Sequence, residues 1–155
     1  MTGAGAVVLG VGLDLVDVDS FSEQLAVAGS TMARETFTAA EMAEAGAVRD
    51  ERPDDRLAAP RRLAGRFAAK EAFLKAWSSA RIGRAPALAD LRWQDLEVLT
   101  DPWGRPFLRP AGATAAAVID SVGAIELHIS ITHDGPVAAA VVVIAGDAAA
   151  AGDHA

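Results

Sequence analysis

Ile125-Glu126-Leu127-His128-Ile129-Ser130-Ile131-Thr132-His133-Asp134-Gly135-Pro136, followed by Val137-Ala138-Ala139-Ala140-Val141-Val142-Val143-Ile144, is the stretch that decides the fold. Over residues 125–132 apolar and polar side chains alternate strictly. Ile125, Leu127, Ile129 and Ile131 share one face, and Glu126, His128, Ser130 and Thr132 share the other. A period of two specifies a half-buried strand. His133-Asp134-Gly135-Pro136 reads as a turn, and residues 137–144 read as the last strand.

The segments before this hairpin change period. Residues 61–79 carry Leu63, Phe67, Leu74 and Trp77 at helical spacing, which predicts a long helix with an apolar stripe. At about 100° per residue, Glu71 and Lys75 project together at the edge of that stripe, and Arg62, Arg66 and Lys70 form a basic ridge on its other side. A Glu–Lys pair at this spacing is ordinarily only a solvated ion pair. Lys70 stands apart, because Phe67, Leu74 and Trp77 surround it in projection. It must snorkel, pair with an acid, or face a ligand or a subunit boundary.

Residues 7–13 read as a buried strand with Val7, Leu9, Val11 and Leu13 on one face. The other face, Val8, Gly10, Gly12 and Asp14, is nearly bare before it reaches a carboxylate, so another backbone or a ligand is expected close by. Residues 17–28 predict a short helix. Thr38-Ala39-Ala40-Glu41 is a capping box opening a helix that closes near Gly46. Residues 47–60 read as a loop, 96–100 and 106–109 as strands paired around Asp101-Pro102-Trp103-Gly104, and 114–121 as a short helix.

This order predicts an α+β domain spanning residues 6–145, with helices packed on a small, mainly antiparallel sheet. The Ala/Gly/Asp tail, residues 146–155, has no periodic pattern and is expected to be disordered.

Composition narrows the functional classes. The chain has 155 residues, enough for a single core, and no cysteine, which removes disulfides, thiolate metal sites and a Cys nucleophile. A net charge of −7 argues against nucleic acid as a partner. Arginines at 49, 52, 56, 61, 62 and 66 nevertheless leave room for a local anion site. No apolar run is long enough to span a bilayer, and no secretion signal is recognisable, so a cytoplasmic protein without membrane contact is expected. Gly10-Val11-Gly12 lacks the third glycine of a dinucleotide fingerprint, and no Gly-x-Ser-x-Gly frames Ser130. Histidines 128, 133 and 154 form no zinc pattern.

Three segments in order carry a resemblance: Gly10-Val11-Gly12-Leu13-Asp14, Arg66-Phe67-Ala68-Ala69-Lys70-Glu71-Ala72-Phe73-Leu74-Lys75-Ala76, and Ser130-Ile131-Thr132-His133. From about residue 8 to 144 the chain resembles the holo-[acyl-carrier-protein] synthase type of 4'-phosphopantetheinyl transferase, in its actinobacterial branch. The resemblance implies that Asp14 and Glu71 hold Mg²⁺, which prefers one or two carboxylates plus phosphate and water. It implies that Lys75 meets a coenzyme A phosphate, and that Arg66 and His133 lie near the nucleotide with Thr132 beside them. Asp14, Glu71 and Lys75 are then the catalytic set, with Glu71 or a metal-held water as base for the carrier serine.

The implied reaction passes phosphopantetheine from coenzyme A to an acyl carrier protein, or to a carrier domain of a type I synthase, and releases 3',5'-ADP for fatty-acid or polyketide synthesis. The implied assembly is a homotrimer with sites between subunits, and Lys70 and the bare glycine face would sit at that boundary. Two departures stand out. Trp77-Ser78-Ser79-Ala80-Arg81 replaces the family's Gly-Thr-Gly loop, and residues 17–23 are acidic where relatives carry arginines for the carrier. Carrier docking is therefore expected at the arginine-rich segment 49–62. The alternative reading is a catalytically degenerate carrier-binding module of the same fold.

Overall fold

A computed structural model describes residues 5–47 and 57–147. Arg49, Arg52 and Arg56, where carrier docking is expected, and residues 148–155 of the expected tail lie outside the described residues. The strands and helices are β1 (Ala6–Asp17), α1 (Val18–Ala26), α2 (Met32–Thr36), α3 (Ala39–Ala47), α4 (Ala58–Ser79), β2 (Leu96–Thr100), β3 (Pro106–Pro110), α5 (Gly112–Val122), β4 (Ile125–Asp134) and β5 (Val137–Asp147). One antiparallel sheet has the order β1-β5-β4, and β2 and β3 form a separate hairpin. Helices on antiparallel strands are the α+β arrangement the sequence predicts.

The differences are local and physical. β4 runs to Asp134, so His133 belongs to a strand and only Gly135-Pro136 turns the chain. Gly135 takes φ 54°, a left-handed value that favours glycine. β5 continues through Gly146 and Asp147, two residues into the expected tail, because they pair with Val7 and Ala6. α4 begins at Ala58, not at 61, and Pro60 is tolerated in its first turn, where no intrahelical N–H partner is needed. α2 falls in a stretch with no apolar period to announce it.

The core forms around α4. Ala68, Ala69, Ala72, Phe73 and Ala76 are fully buried, and Val142 and Ile144 of β5 with Leu96 and Val98 of β2 join the same cluster. The helix is thus covered on more sides than a single stripe predicts, and Phe67 and Leu74 are only half-buried. Small side chains let β1 approach closely. A Cβ at Gly12 would lie 1.9 Å from the Ala72 carbonyl oxygen, and one at Gly10 would lie 2.1 Å from that of Ala76. The bare face of β1 therefore meets helix backbone and not a subunit boundary, correcting that expectation.

A register shift between Val8 and Gly10 marks a bulge. It leaves Val8 exposed while Leu9 packs against the core, so these two reverse the predicted faces.

Lys70 is also corrected. It is fully buried within one chain, where its ammonium donates to Glu41 Oε2 at 2.9 Å and to the carbonyls of Thr36 (2.6 Å) and Trp93 (3.1 Å). Glu41 is the capping-box acid itself. Its Oε2 accepts the Thr38 N–H, Thr38 Oγ1 accepts the Glu41 N–H, and Oε1 takes the Val98 N–H. Pairing with an acid, the second of the four options, is the one realised.

Candidate active site

The sheet rows and α4 together position the chemistry. Pairing places Asp14, Ala140 and Ile131 in one cross-strand row, and Val16, Ala138 and His133 in the next. Asp14 and His133 therefore face α4 from opposite edges of the sheet, with β5 between them.

On the β1 side, Asp14, Glu71 and Lys75 line a pocket of about 370 Å³ with Asp17, Ser20, Phe21 and Phe67. Lys75 does not pair with Glu71 as the helix spacing alone suggests. Its ammonium donates to Asp14 Oδ1 at 2.7 Å and to the Leu13 carbonyl at 3.1 Å. Burial, then the neighbouring Asp14 charge, raises the Glu71 carboxyl above its ordinary pKa, against the opposing pull of Lys75. The bond to Asp14 raises Lys75 in turn.

On the β4 side, a larger pocket of about 690 Å³ is lined by Arg62, Arg66, His133 and Glu44, with the turn between β2 and β3 as its far wall. Arg66 is buried. Its Nε donates to Val98 O at 3.1 Å, one Nη to Arg62 O at 3.3 Å, and the other to Glu44 Oε2 at 2.8 Å. His133 Nε2 lies 3.1 Å from the Arg61 carbonyl. A carbonyl only accepts, so Nε2 carries the proton and, in the neutral ring, Nδ1 is left as the acceptor. Burial, and then the charges of Arg61, Arg62 and Arg66, hold the imidazole below its ordinary pKa despite that bond.

Gly65 makes this approach possible, since a Cβ there would meet His133 Nε2 at 2.9 Å and Ile131 Cγ2 at 2.8 Å. The helical glycine was a usable signal, as it costs roughly 1 kcal/mol relative to alanine unless packing requires it.

The two pockets share no lining residue. Arg66 and Glu71 are five residues apart, about 140° around the helix, so α4 itself stands between them. Asp14, Glu71 and Lys75 are brought together, as are Arg66 and His133. Thr132 is not brought to either group, for it lies on the outer face in the row with Leu15 and Ala139. Arg62 was placed in the sequence only as part of the basic ridge, and Glu44 went unassigned because the strand and helix that surround it come from distant segments.

The donor set at Asp14 and Glu71 suits a hard divalent cation. Two carboxylates line one pocket, mutual charge raises Glu71, and an ammonium already stands on Asp14 as a substitute cation. Among the described residues no group of three or more His, Asp or Glu side chains gathers. Mg²⁺ needs no such cage when phosphate and water complete its shell.

Residues 10–142 match the family model described as ACPS, the 4'-phosphopantetheinyl transferase superfamily. A holo-[acyl-carrier-protein] synthase of Mycobacterium tuberculosis is 42% identical over 137 residues, covering 88% of this chain and 96% of that protein. An ACPS–CoA complex from Chronobacterium ammoniagenes superimposes with a TM-score of 0.78 at 39% identity, covering 90% of this chain and 96% of the other. A Bacillus anthracis holo-(acyl-carrier-protein) synthase in complex with CoA (3',5'-ADP) gives 0.63 at 26% identity, covering 90% and 98%. The chain belongs to the 4'-phosphopantetheinyl transferase superfamily.

Proposed function

We propose that this transferase moves the 4'-phosphopantetheine group of coenzyme A onto a serine of an acyl carrier protein or carrier domain, releasing 3',5'-ADP. The observation that carries the reading is the Asp14–Lys75–Glu71 cluster at a strand end, in a chain so similar to holo-[acyl-carrier-protein] synthases. Intact Asp14, Glu71, Lys75 and His133 disfavour the degenerate carrier-binding module.

The serine oxygen attacks the β-phosphorus, a new P–O bond forms, and the pyrophosphate P–O bond breaks. Asp14 and Glu71 would hold Mg²⁺, which when bound supplies charge neutralisation at the pyrophosphate oxygens. Lys75 gives its ammonium to a substrate phosphate, a fixed charge where negative charge grows. Glu71, or a water held beside it, is the candidate base for the serine proton. Arg66 and His133 are assigned to the nucleotide, with Nδ1 of His133 and the remaining Arg66 N–H groups as the contacts on offer.

We further propose a homotrimer with composite sites. The outer sheet face presents Val11, Leu13 and Leu15 exposed beside Val143, Val141 and Ala139, an apolar patch that a second copy would cover. One chain cannot offer the Glu71 and Arg66 sides of α4 to a single ligand, whereas a neighbour can supply the missing half. Thr132, on that same outer face, would then reach the site across the boundary. Family membership also favours the cytoplasm; no helix among the described residues is long and apolar enough to cross a membrane.

The test is to incubate the protein with apo-carrier, coenzyme A and Mg²⁺ and weigh the carrier. Gain of one phosphopantetheine arm is expected, and its absence would favour the binding module. Co-assembling inactive Glu71→Ala and Arg66→Ala chains should restore transfer if each site draws on two chains.

A further inference from the structure

Glu44 has no role in the assignments above, yet it sits in the Arg66 pocket with an unusual load. Its Oε2 alone accepts from Arg66 Nη2 at 2.8 Å, from the Thr100 backbone N–H at 3.1 Å and from Thr100 Oγ1 at 3.2 Å. One oxygen from α3 thereby ties α4 to the end of β2, at the root of the turn that forms the pocket's far wall. Arg66 spends three of its five N–H groups on Val98 O, Arg62 O and Glu44, which leaves one on each Nη. Of these three anchors only Glu44 carries charge, and it also holds Thr100 of the opposite wall.

We propose that Glu44 is the positioning residue that aims Arg66 at the 3'-phosphate of coenzyme A and so sets the preference for coenzyme A over its 3'-dephospho form. The inference rests on the nucleotide assignment proposed for this pocket. Two physical effects act together. Without Glu44 the guanidinium keeps two neutral carbonyl anchors and its remaining donors lose their fixed direction, while the Thr100 N–H and hydroxyl both lose their acceptor. The carboxylate also cancels part of the charge of Arg62 and Arg66, so the pocket is not a general anion trap. An anion must engage the aimed donors to overcome the nearby carboxylate.

Glu44→Ala and Glu44→Gln are compared with wild type using coenzyme A and 3'-dephospho-coenzyme A, and 3',5'-ADP binding is followed by calorimetry. Glu44→Ala should raise the KM for coenzyme A about tenfold and weaken 3',5'-ADP similarly. It should leave kcat within about twofold and the KM for the dephospho form unchanged. Glu44→Gln keeps an oxygen acceptor and should recover part of the loss. A KM that rises equally for both coenzymes would mean a merely structural role and overturn the inference, as would an unchanged coenzyme A KM. Wild-type protein that uses both coenzymes equally, with Arg66→Ala no different, would instead overturn the nucleotide assignment itself, and the inference with it.

Discussion

Gly12→Ala tests whether the contact between β1 and α4 both stabilises the fold and sets the site. The added Cβ would lie 1.9 Å from the Ala72 carbonyl oxygen, 2.6 Å from the Ala76 nitrogen and 2.9 Å from the Ala72 carbonyl carbon. All three are helix backbone, so no rotamer change relieves the clash. Lengthening the 1.9 Å contact to an ordinary 3.4 Å requires β1 and α4 to part by about 1.5 Å. Overpacking of a close-packed core costs about 1–3 kcal/mol, and a gap of 0.5–1 Å already forfeits a quarter to a half of each dispersion contact. The gain from replacing glycine in the unfolded chain offsets only about 0.4–1 kcal/mol. A net loss of about 2 kcal/mol is therefore expected in urea unfolding. Gly46→Ala is the control: it lies in α3 with nothing within 4 Å of the new Cβ, and it should be neutral or stabilising. Asp14 lies two residues beyond Gly12 on the same face, so the displacement should also weaken Mn²⁺ binding at the proposed Asp14–Glu71 site. A Gly12→Ala protein within about 0.5 kcal/mol of wild type, below the overpacking range, would refute the argument.

Three further outcomes are expected. Glu41→Gln and Lys70→Met should each cost about 3–5 kcal/mol because each strands a buried charge, and the double variant should cost clearly less than their sum; additivity in urea unfolding would contradict the pairing. Because burial and the arginines lower the folded pKa of His133 below 6.5, its stabilising contribution is complete above pH 6.5 and is lost as pH falls through the folded value. The stability gap between wild type and His133→Asn should be flat above neutrality and shrink in acid, and a gap that widens in acid would refute the assignment. Lys75→Met frees Asp14 of its ammonium partner, so Mn²⁺ affinity without coenzyme A, read by electron paramagnetic resonance, should rise several-fold; an unchanged affinity would mean that Lys75 and the metal do not compete.

What was legible in the sequence was local or periodic. Alternation at 125–132 located β4, the Thr38–Glu41 capping box located the start of α3, and the empty glycine face announced that something would come close to β1. Asp14, Glu71 and Lys75 could be picked out by motif, but their pairing could not. Lys75 lies four residues from Glu71 and sixty-one from Asp14, yet bonds the latter, because α4 lies against β1. Lys70 finds Glu41 twenty-nine residues away for the same reason, since the partner of a buried charge is decided by tertiary packing. The bulge between Val8 and Gly10 was invisible because one extra residue reverses a face without changing composition. Glu44 was hidden most thoroughly, because its three donors belong to α4 and β2, which meet it only in the folded chain.

The same packing gives a reason for assembly. β1 can lie against α4 only if the helix shows small residues to it, and Ala72 and Ala76 do so opposite Gly12 and Gly10. That contact fixes which side of the helix carries Glu71 and Lys75 beside Asp14. The pitch of the helix then turns Arg66 about 140° away, toward His133 on the other edge strand. Shifting α4 to bring both groups to one pocket would break the glycine contact on one side or the Gly65–His133 approach on the other. The core of a single chain therefore keeps the two pockets on different sides of α4, and under the proposed assembly the exposed Val11–Leu13–Leu15 face is where a further copy would join them. On this argument, substitutions that polarise that face should abolish transfer while leaving both pockets intact within each chain. A monomeric Val11→Arg variant with full activity would show that one chain suffices.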